Sequence, residues 1–237
     1  MRPILLILAL LLAACAEGPV ATGPVAGPVP APSAVPDRVT PATAVANFRA
    51  VVARVEPVAE RECRRRAARG TNCDFLIVVD GNPRLPPNAF QTLDRRGRPV
   101  VGFTRALIAE ARNRDEIAFV LGHETSHHIE GHIGRARQSA LAGQALAGAL
   151  AQLGGADEVG VRRAAEIGLA VGSRRFSKEF ELEADRLGTI ITARAGFDPL
   201  RGAAFFNRLP DPGDRFLGTH PPNAARIATV RATAAGL

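Results

Sequence analysis

The stretch His123-Glu124-Thr125-Ser126-His127 decides the interpretation of this sequence, and the ten residues that begin with it hold four of the chain's five histidines. On an α-helix, residues i and i+4 lie about 40° apart around the axis, so His123 and His127 can direct both imidazoles at one metal ion. Glu124 then lies beside the open coordination position, where it can take a proton from an attacking water. The pattern predicts a helix with two zinc ligands and a general base.

A catalytic zinc ion needs a third protein ligand, and the sequence excludes one common solution. In the metzincin pattern, a glycine and a third histidine follow at positions that correspond to 130 and 133. The chain has Glu130 and Ile133 there. The other common solution is a glutamate on a later helix, followed one turn on by an acid that holds a ligand histidine through its second ring nitrogen.

The segment 177–185 supplies such a glutamate. Of its three glutamates, only Glu181 is followed four residues later by an aspartate, Asp185. We therefore predict Glu181 as the third ligand and Asp185 as the acid that orients a ligand histidine. Glu179 and Glu183 are predicted to form an ordinary solvated acidic face.

Two further histidines lie close to the motif. On a regular helix, His128 and His132 point away from the face of His123 and His127 by about 100° and 140°. They are therefore predicted to be surface or packing residues.

These motifs resemble those of a known family. His-Glu-Thr-Ser-His, followed 54 residues later by Glu-Leu-Glu-Ala-Asp, is similar to the HtpX-like and BepA-like zinc endopeptidases of metallopeptidase family forty-eight, relatives of the CAAX prenyl proteases. Asn88-Ala89-Phe90 and the late segment 218–222 with Arg226 match in order and spacing, so the resemblance covers roughly residues 42 to 235. It implies an α+β, mostly helical, zincin-like domain with a small β-sheet beside the zinc-binding helix, and one Zn²⁺ per chain.

The resemblance also assigns roles to two late residues. His220, in the stretch Thr219-His220-Pro221-Pro222, would approach the zinc ion, either as a cap on the metal or as a group that polarises the substrate carbonyl. Because the chain contains no tyrosine, His220 or Arg226 would replace the tyrosine that some zinc peptidases direct at the oxyanion. Arg226 is otherwise expected, like Asp185, to support the ligands from outside the ligand set. The alternative is that His220 is a turn residue ahead of a helix.

The N-terminal residues have the pattern of an exported lipoprotein. Residues 1–14 form a signal peptide with Arg2 and a short apolar run, too short to cross a bilayer. Cys15 directly after Leu-Ala-Ala resembles a lipoprotein box, so we expect acylation there; a plain signal peptide is the alternative. Residues 15–41 are rich in Pro, Ala and Gly and form a tether. We expect a periplasmic protein anchored to a membrane. Ala16, rather than an aspartate, follows Cys15, and this favours the outer membrane.

Cysteine content and charge agree with export. In an oxidising periplasm, Cys63 and Cys73 are expected to form a disulfide, since no other cysteines complete a structural zinc site. The formal charge of +7 is spread over dispersed arginines, which suits a solvated surface or attraction to anionic membranes. We find no nucleic-acid motif, and export argues against nucleic acid as a partner.

Residues 42–237 have the length and the apolar content of one domain. The sequence predicts a helix from Pro41 capped by Thr40, a buried strand over Phe75–Val79, and a hairpin around Asp94–Arg98. By resemblance, the strand after the hairpin, Val100–Phe103, is the candidate sheet edge that binds extended substrate.

The Ala-, Gly- and Leu-rich segment 140–153 leaves two interpretations open. It is either a helix that packs closely on residues 158–171, which we favour, or a mobile lid or apolar surface for client proteins.

The resemblance implies a zinc endopeptidase of the bacterial envelope, acting in quality control on unfolded, misassembled or stalled envelope proteins. An envelope chaperone or assembly factor with a latched zinc site is the alternative; a cell-wall hydrolase is a third, without a wall-binding repeat to support it. Retention of Glu124 favours the enzyme, since a structural zinc site needs no base.

Overall fold

A mostly helical chain folds around one central helix and a small sheet, as the sequence predicts. The computed structural model describes residues 39–174, 177–211 and 221–237. The helices and strands of these ranges are α1 (Pro41–Arg66), β1 (Leu76–Asp80), β2 (Ala89–Leu93), β3 (Pro99–Thr104), α2 (Arg105–Glu110), α3 (Arg114–Ile129), α4 (His132–Leu153), α5 (Glu158–Arg174), α6 (Ser177–Arg194), α7 (Pro199–Ala203), a 3₁₀ helix (Ala204–Arg208) and α8 (Asn223–Ala234).

The first helix begins where the sequence predicts. The Oγ1 atom of Thr40 accepts a hydrogen bond from the Thr43 backbone N–H at 3.2 Å, and Pro41 occupies the first turn, where no backbone donor is needed. One face of α1 is buried through Phe48, Val51 and Val55, and it packs against α3. The predicted helix is therefore amphipathic, with this apolar face on the core side.

The sheet has the order β1-β3-β2, with β1 parallel and β2 antiparallel to β3. The predicted hairpin between β2 and β3 is confirmed. In its turn, a carboxylate oxygen of Asp94 accepts the backbone N–H groups of Arg96 and Arg98, and Gly97 has a φ of 76°, which glycine adopts without strain.

Two predictions about the sheet are wrong. The strand over Val100–Phe103 is not an edge, because β3 pairs with β2 on one side and with β1 on the other. The edge strands are β1 and β2. β1 itself is not a buried strand. As an outer strand it is only partly covered, and Val79 is 45% exposed, whereas Phe75 just before it is buried. A continuous apolar run does not distinguish a central strand from an outer one.

Buried carboxylates hold the C-terminal segments against the start of α3. Asp115 accepts the backbone N–H of Asp198 at 2.9 Å and pairs with Arg201. Glu116 accepts two hydrogen bonds from Arg208, at 2.8 and 2.7 Å. Both acids also lie in the first turn of α3, where the helix dipole favours negative charge. These contacts place the segment 198–209 along one side of α3.

Helices α4 and α5 form a hairpin, and the close packing that we predicted for it is confirmed. A Cβ atom on Gly143 would lie 2.2 Å from the Gly168 carbonyl oxygen, so only glycine allows this approach. The leucines do not take part in it: Leu146, Leu150 and Leu153 are 63%, 60% and 85% exposed. None of the helices in the described ranges combines the length and apolar character needed to cross a bilayer.

Candidate metal centre

The predicted motif lies on α3, whose first turn is capped by the side chain of Asn113. His123 and His127 lie one turn apart on the same face, and their Nε2 atoms are 3.0 Å from each other. His123 is buried and His127 is partly buried. Glu124 lies between them in sequence, is partly buried, and lines the same cavity.

A pair of glycines brings α6 against α3 at the level of His123. A Cβ atom on Gly122 would lie 2.9 Å from the Gly188 carbonyl oxygen, and a Cβ on Gly188 would lie 2.9 Å from the His123 backbone nitrogen. The two helices can therefore cross at this distance only without side chains. The crossing places Glu181, almost two turns before Gly188 on α6, opposite the histidines.

The three predicted ligands face one another. Glu181 places its carboxylate oxygens 3.5 Å from His123 Nε2 and 3.4 Å from His127 Nε2. A tetrahedral zinc ion with bonds of about 2.0–2.1 Å has its ligand atoms about 3.3 Å apart. The donor set of two imidazoles and one carboxylate, at separations of 3.0 to 3.5 Å, therefore fits zinc in size and in chemistry.

Asp185 lies behind His123, as the sequence predicts for the supporting acid. Its Oδ1 atom is 2.9 Å from His123 Nδ1, and its two oxygens accept hydrogen bonds from Arg226 Nη2 and Nε at 2.7 and 2.8 Å. Burial alone would raise the pKa of Asp185, but the hydrogen bonds from Arg226 and His123 outweigh it and lower that pKa. An ionised Asp185 accepts the Nδ1–H of His123 and leaves Nε2 directed at the metal position.

The two histidines differ in their affinity for protons. Burial alone would lower the pKa of His123, but hydrogen bonds to Asp185 and Glu181 raise it to about 10. Burial, together with the positive charge of His123, lowers the pKa of His127 to about 3. In the metal-free protein the pair therefore holds one extra proton, on His123, in the place that a cation would take.

His132 is a site residue that the sequence analysis missed. It is only 4% exposed, and its Nδ1 atom is 2.8 Å from Nδ1 of His127. The predicted angle assumed one continuous helix, but α3 ends at Ile129 and Gly131 has a φ of 68°. This left-handed glycine turns the chain, and His132 begins α4 instead. The glycine after the motif was the available signal for a helix end.

Glu183 also differs from its prediction as a solvated residue. It accepts hydrogen bonds from Arg135 and lies 3.0 Å from Nε2 of His132. The hydrogen bond from Arg135 lowers the pKa of Glu183, and burial lowers the pKa of His132. Glu179 is exposed, as predicted. His128 packs edge-on against Phe75 and contacts the Asn72 carbonyl at 2.7 Å, which agrees with a packing role.

A cavity of about 580 Å³ opens over the three ligands. Its walls come from β2 and the residues just before it, from the start of α4, and from the aromatic residues that follow α7. The side chains or backbone that line it include Asn88, Ala89, Gln91, Glu124, His127 and Phe180. The cavity thus joins the metal position to one edge of the sheet.

Two other predicted residues lie away from the metal centre, and two more lie outside the described ranges. Cys63 and Cys73 are joined by a disulfide that links the end of α1 to the segment before β1, with Cα atoms 5.7 Å apart. Cys15 and His220 lie outside the residues that the structure describes.

Comparison with known proteins finds several proteases that this chain resembles. The chain is 34% identical over 165 residues to a putative β-barrel assembly-enhancing protease of Vibrio cholerae, covering 64% of this chain and 34% of the relative. It is 31% identical over 141 residues to the β-barrel assembly-enhancing protease of Escherichia coli, covering 53% and 28%. The mitochondrial metalloendopeptidase OMA1 of Arabidopsis thaliana is 30% identical over 131 residues, covering 54% and 26%. The chain thus spans about a third or less of the curated relatives it matches.

The match to a family is more extensive than the match to any of these relatives. The model for peptidase family M48 aligns with residues 49–234, a range that contains α3, α6 and α8 and therefore every described residue of the metal centre. Because this match extends over most of the sequence, the chain belongs to peptidase family M48, whose metallopeptidases usually use zinc.

Proposed function

We propose that the protein is a zinc-dependent endopeptidase of the bacterial cell envelope, with His123, His127 and Glu181 as the ligands of one Zn²⁺. The observation that carries the proposal is the ligand triangle at the floor of an open cavity that Glu124 also lines. A structural zinc site is normally closed by four protein ligands, whereas three ligands with an open side are typical of catalysis. When bound, zinc polarises water and the substrate carbonyl.

Glu124 is the general base and acid of this proposal. Its carboxylate takes a proton from the attacking water and delivers it to the amine nitrogen that leaves. Asp185 and Arg226 contribute by orientation: Asp185 holds His123, and Arg226 neutralises Asp185 from a buried position over the Phe206 ring.

The test compares the full-length wild-type protein, loaded with zinc, with its Glu124→Gln variant on an unfolded protein such as casein. We expect loss of cleavage by at least about 100-fold without loss of bound zinc. If Glu124→Gln cleaves like wild type, Glu124 is not the base. If the wild-type protein binds zinc and never cleaves while it still suppresses client aggregation, the assembly-factor alternative is correct. The outward leucines of the α4–α5 hairpin favour that alternative.

The edge strand β2 is our proposed substrate platform, in place of β3. The Asn88 carbonyl accepts from the Thr104 N–H and the Asp94 N–H donates to the Arg98 carbonyl, and alternation along an antiparallel pair then directs the backbone groups of residues 90 and 92 at β3. The backbone groups of Ala89 and Gln91 consequently point to the open edge, beside the cavity. A strand added there is held by main-chain hydrogen bonds, which do not depend on its sequence. This suits unfolded envelope proteins as substrates.

Proline at position 91 tests this platform sharply. Gln91→Pro removes one outward N–H and no bond to β3, and an edge strand tolerates proline at such a position. We expect kcat/KM for casein to fall about 3- to 10-fold relative to Gln91→Ala, which keeps the N–H, with zinc binding equal in both. Equal kcat/KM in the two variants would exclude β2 as the platform.

His220 keeps its predicted place in the proposal, as a latch on the metal or as a group that polarises the carbonyl. His220→Ala distinguishes the two. A gain in casein cleavage indicates the latch, and a loss in kcat at unchanged zinc content indicates the polarising role. Unchanged kinetics would make His220 a turn residue.

We also propose that residues 1–14 are removed as a signal peptide, that Cys15 is lipidated, and that residues 15–41 tether the domain 42–237 to the periplasmic face of a membrane, the outer one by preference. The lipoprotein-like sequence around Cys15 supports this proposal, and the names of the bacterial relatives support envelope proteins as substrates. Labelled palmitate should enter the wild-type protein but not Cys15→Ala. Equal labelling of both would exclude the anchor.

A further inference from the structure

The second proposed ligand histidine is supported by a chain of side chains from two other helices. His127 Nδ1 lies 2.8 Å from His132 Nδ1, and His132 Nε2 lies 3.0 Å from a Glu183 oxygen. Arg135 donates to the same carboxylate, at 3.3 Å for its Nη2 atom. We infer that His132 and Glu183 are positioning residues that fix the His127 ring and its proton so that Nε2 is free to bind the metal. This inference rests on the proposed role of His127 as a ligand.

Hydrogen-bond chemistry determines which ring nitrogen carries the proton in His132 and in His127. A carboxylate only accepts, so Glu183 requires the N–H of His132 to be on Nε2. His132 Nδ1 is then an acceptor, and the proton between the two rings must belong to His127 Nδ1. His127 Nε2 is left with its lone pair, 3.4 Å from Glu181 and on the metal side. The opposite tautomer of His127 would place a proton where a metal must bind.

Packing holds His127, His132, Glu183 and Arg135, which we call the relay, in one geometry. The Phe180 ring stacks on His132, with centroids 4.5 Å apart and planes at 11°, and the Arg135 guanidinium lies 4.4 Å from the centre of the same ring. His132 and Arg135 are one turn apart on α4, and Phe180 and Glu183 are one turn apart on α6. One turn of α4 therefore packs against one turn of α6: His132 and Arg135 both contact Phe180 and Glu183. His132 consequently has little freedom to rotate.

The relay is the counterpart of the contact between Asp185 and His123. There, a buried carboxylate accepts directly from the ligand ring at 2.9 Å. For His127, the carboxylate of Glu183 acts through the His132 imidazole, because His132 lies between His127 and Glu183 and contacts both. Each histidine ligand thus has its own acid, and both acids come from α6. Outer partners of this kind typically change metal affinity by about 10- to 100-fold.

Equilibrium zinc affinity of the full chain, measured by competition with a chromogenic chelator, tests the inference. His132→Phe keeps a ring to stack on Phe180 but removes both nitrogens, and we expect zinc affinity to fall about 10- to 100-fold. His132→Asn keeps an acceptor near His127 and should recover part of the loss. Glu183→Ala should weaken zinc in the same range, whereas Glu179→Ala, an exposed glutamate on the same helix, should not.

A spectrum separates positioning from general structural damage. The visible bands of the Co²⁺-substituted protein respond to ligand orientation, so they should shift in His132→Phe and Glu183→Ala and stay unchanged in Glu179→Ala. Wild-type affinity and spectra in both relay variants would overturn the inference while leaving the metal site intact. Failure of the wild-type protein to bind one zinc ion would overturn the proposed function, and this inference with it. If His132→Phe does not fold, the comparison of Glu183→Ala with Glu179→Ala decides the matter, because the Glu183 side chain is partly exposed.

Discussion

Gly188→Ala should weaken zinc binding, although Gly188 is not itself a proposed ligand. The new Cβ would lie 2.9 Å from the His123 backbone nitrogen and 3.0 Å from its Cα atom. These are backbone atoms, so no side-chain rotation relieves the contact. Reaching an ordinary separation of 3.4 Å requires α6 to move away from α3 by about 0.5 Å, which equals the tolerance of about 0.5 Å of a preorganised site.

Two opposing terms determine the stability of this variant. Alanine in a helix interior is favoured over glycine by about 0.5–1 kcal/mol, whereas overpacking typically costs about 1–3 kcal/mol. We therefore expect the free energy of unfolding to fall by about 0–2.5 kcal/mol. Zinc affinity should fall about ten-fold, since Glu181 moves with α6 relative to both histidines.

Urea unfolding and chelator competition measure both effects, and Gly134→Ala is the matched control. Gly134 lies in α4, is exposed, and an added Cβ there meets nothing within 4 Å. That variant should gain about 0.5–1 kcal/mol and bind zinc as wild type does. If Gly188→Ala is stabilised as much as Gly134→Ala and keeps full zinc affinity, the close crossing at Gly122 and Gly188 does not position the ligands.

Three further predictions concern protons, the buried ion pair and the disulfide. Because the pKa of His123 is about 10 and that of His127 is about 3 in the metal-free protein, zinc must displace one proton, from His123. Zinc affinity should therefore rise about ten-fold per pH unit at every pH between these two values, with about one proton released per zinc ion in calorimetry, and no release would contradict it. Asp185→Asn removes the nearer of two carboxylates that pair with the buried Arg226 and leaves Glu181 at 3.5 Å, so it should lower the free energy of unfolding by up to about 3–5 kcal/mol in urea, a loss that adding Arg226→Met should partly reverse. Replacing Cys63 and Cys73 by serine should lower it by about 2–3 kcal/mol, and an unchanged urea midpoint would show that the bond does not constrain the unfolded chain.

The predictions that agree with the structure depend on local periodicity. Two histidines four residues apart share a helix face in any regular helix, and an acid four residues after Glu181 lies one turn along the same face. The cap at Thr40 and the turn around Gly97 are equally local. Such features depend on neighbouring residues alone, so they could be predicted without knowledge of the fold.

The errors share a different cause. β3 is central because it pairs with β1, which lies more than twenty residues earlier in the sequence. The prediction for His132 failed at a helix boundary, where one glycine with a positive φ changed the direction of the chain. Glu183 lies one turn after Glu179 on α6, but Glu183 contacts Arg135 from α4, whereas Glu179 is exposed.

The sequence by itself determined the family, the mostly helical class with a small sheet, and the residue types that suit a zinc ion, because ligand chemistry and helix periodicity are properties of short segments. Only the tertiary structure decided which strand has an open edge beside the cavity, how closely α6 crosses α3, and which acid supports His127. Those features arise where distant segments meet, and their geometry depends on packing distances of a few tenths of an ångström that no short segment contains.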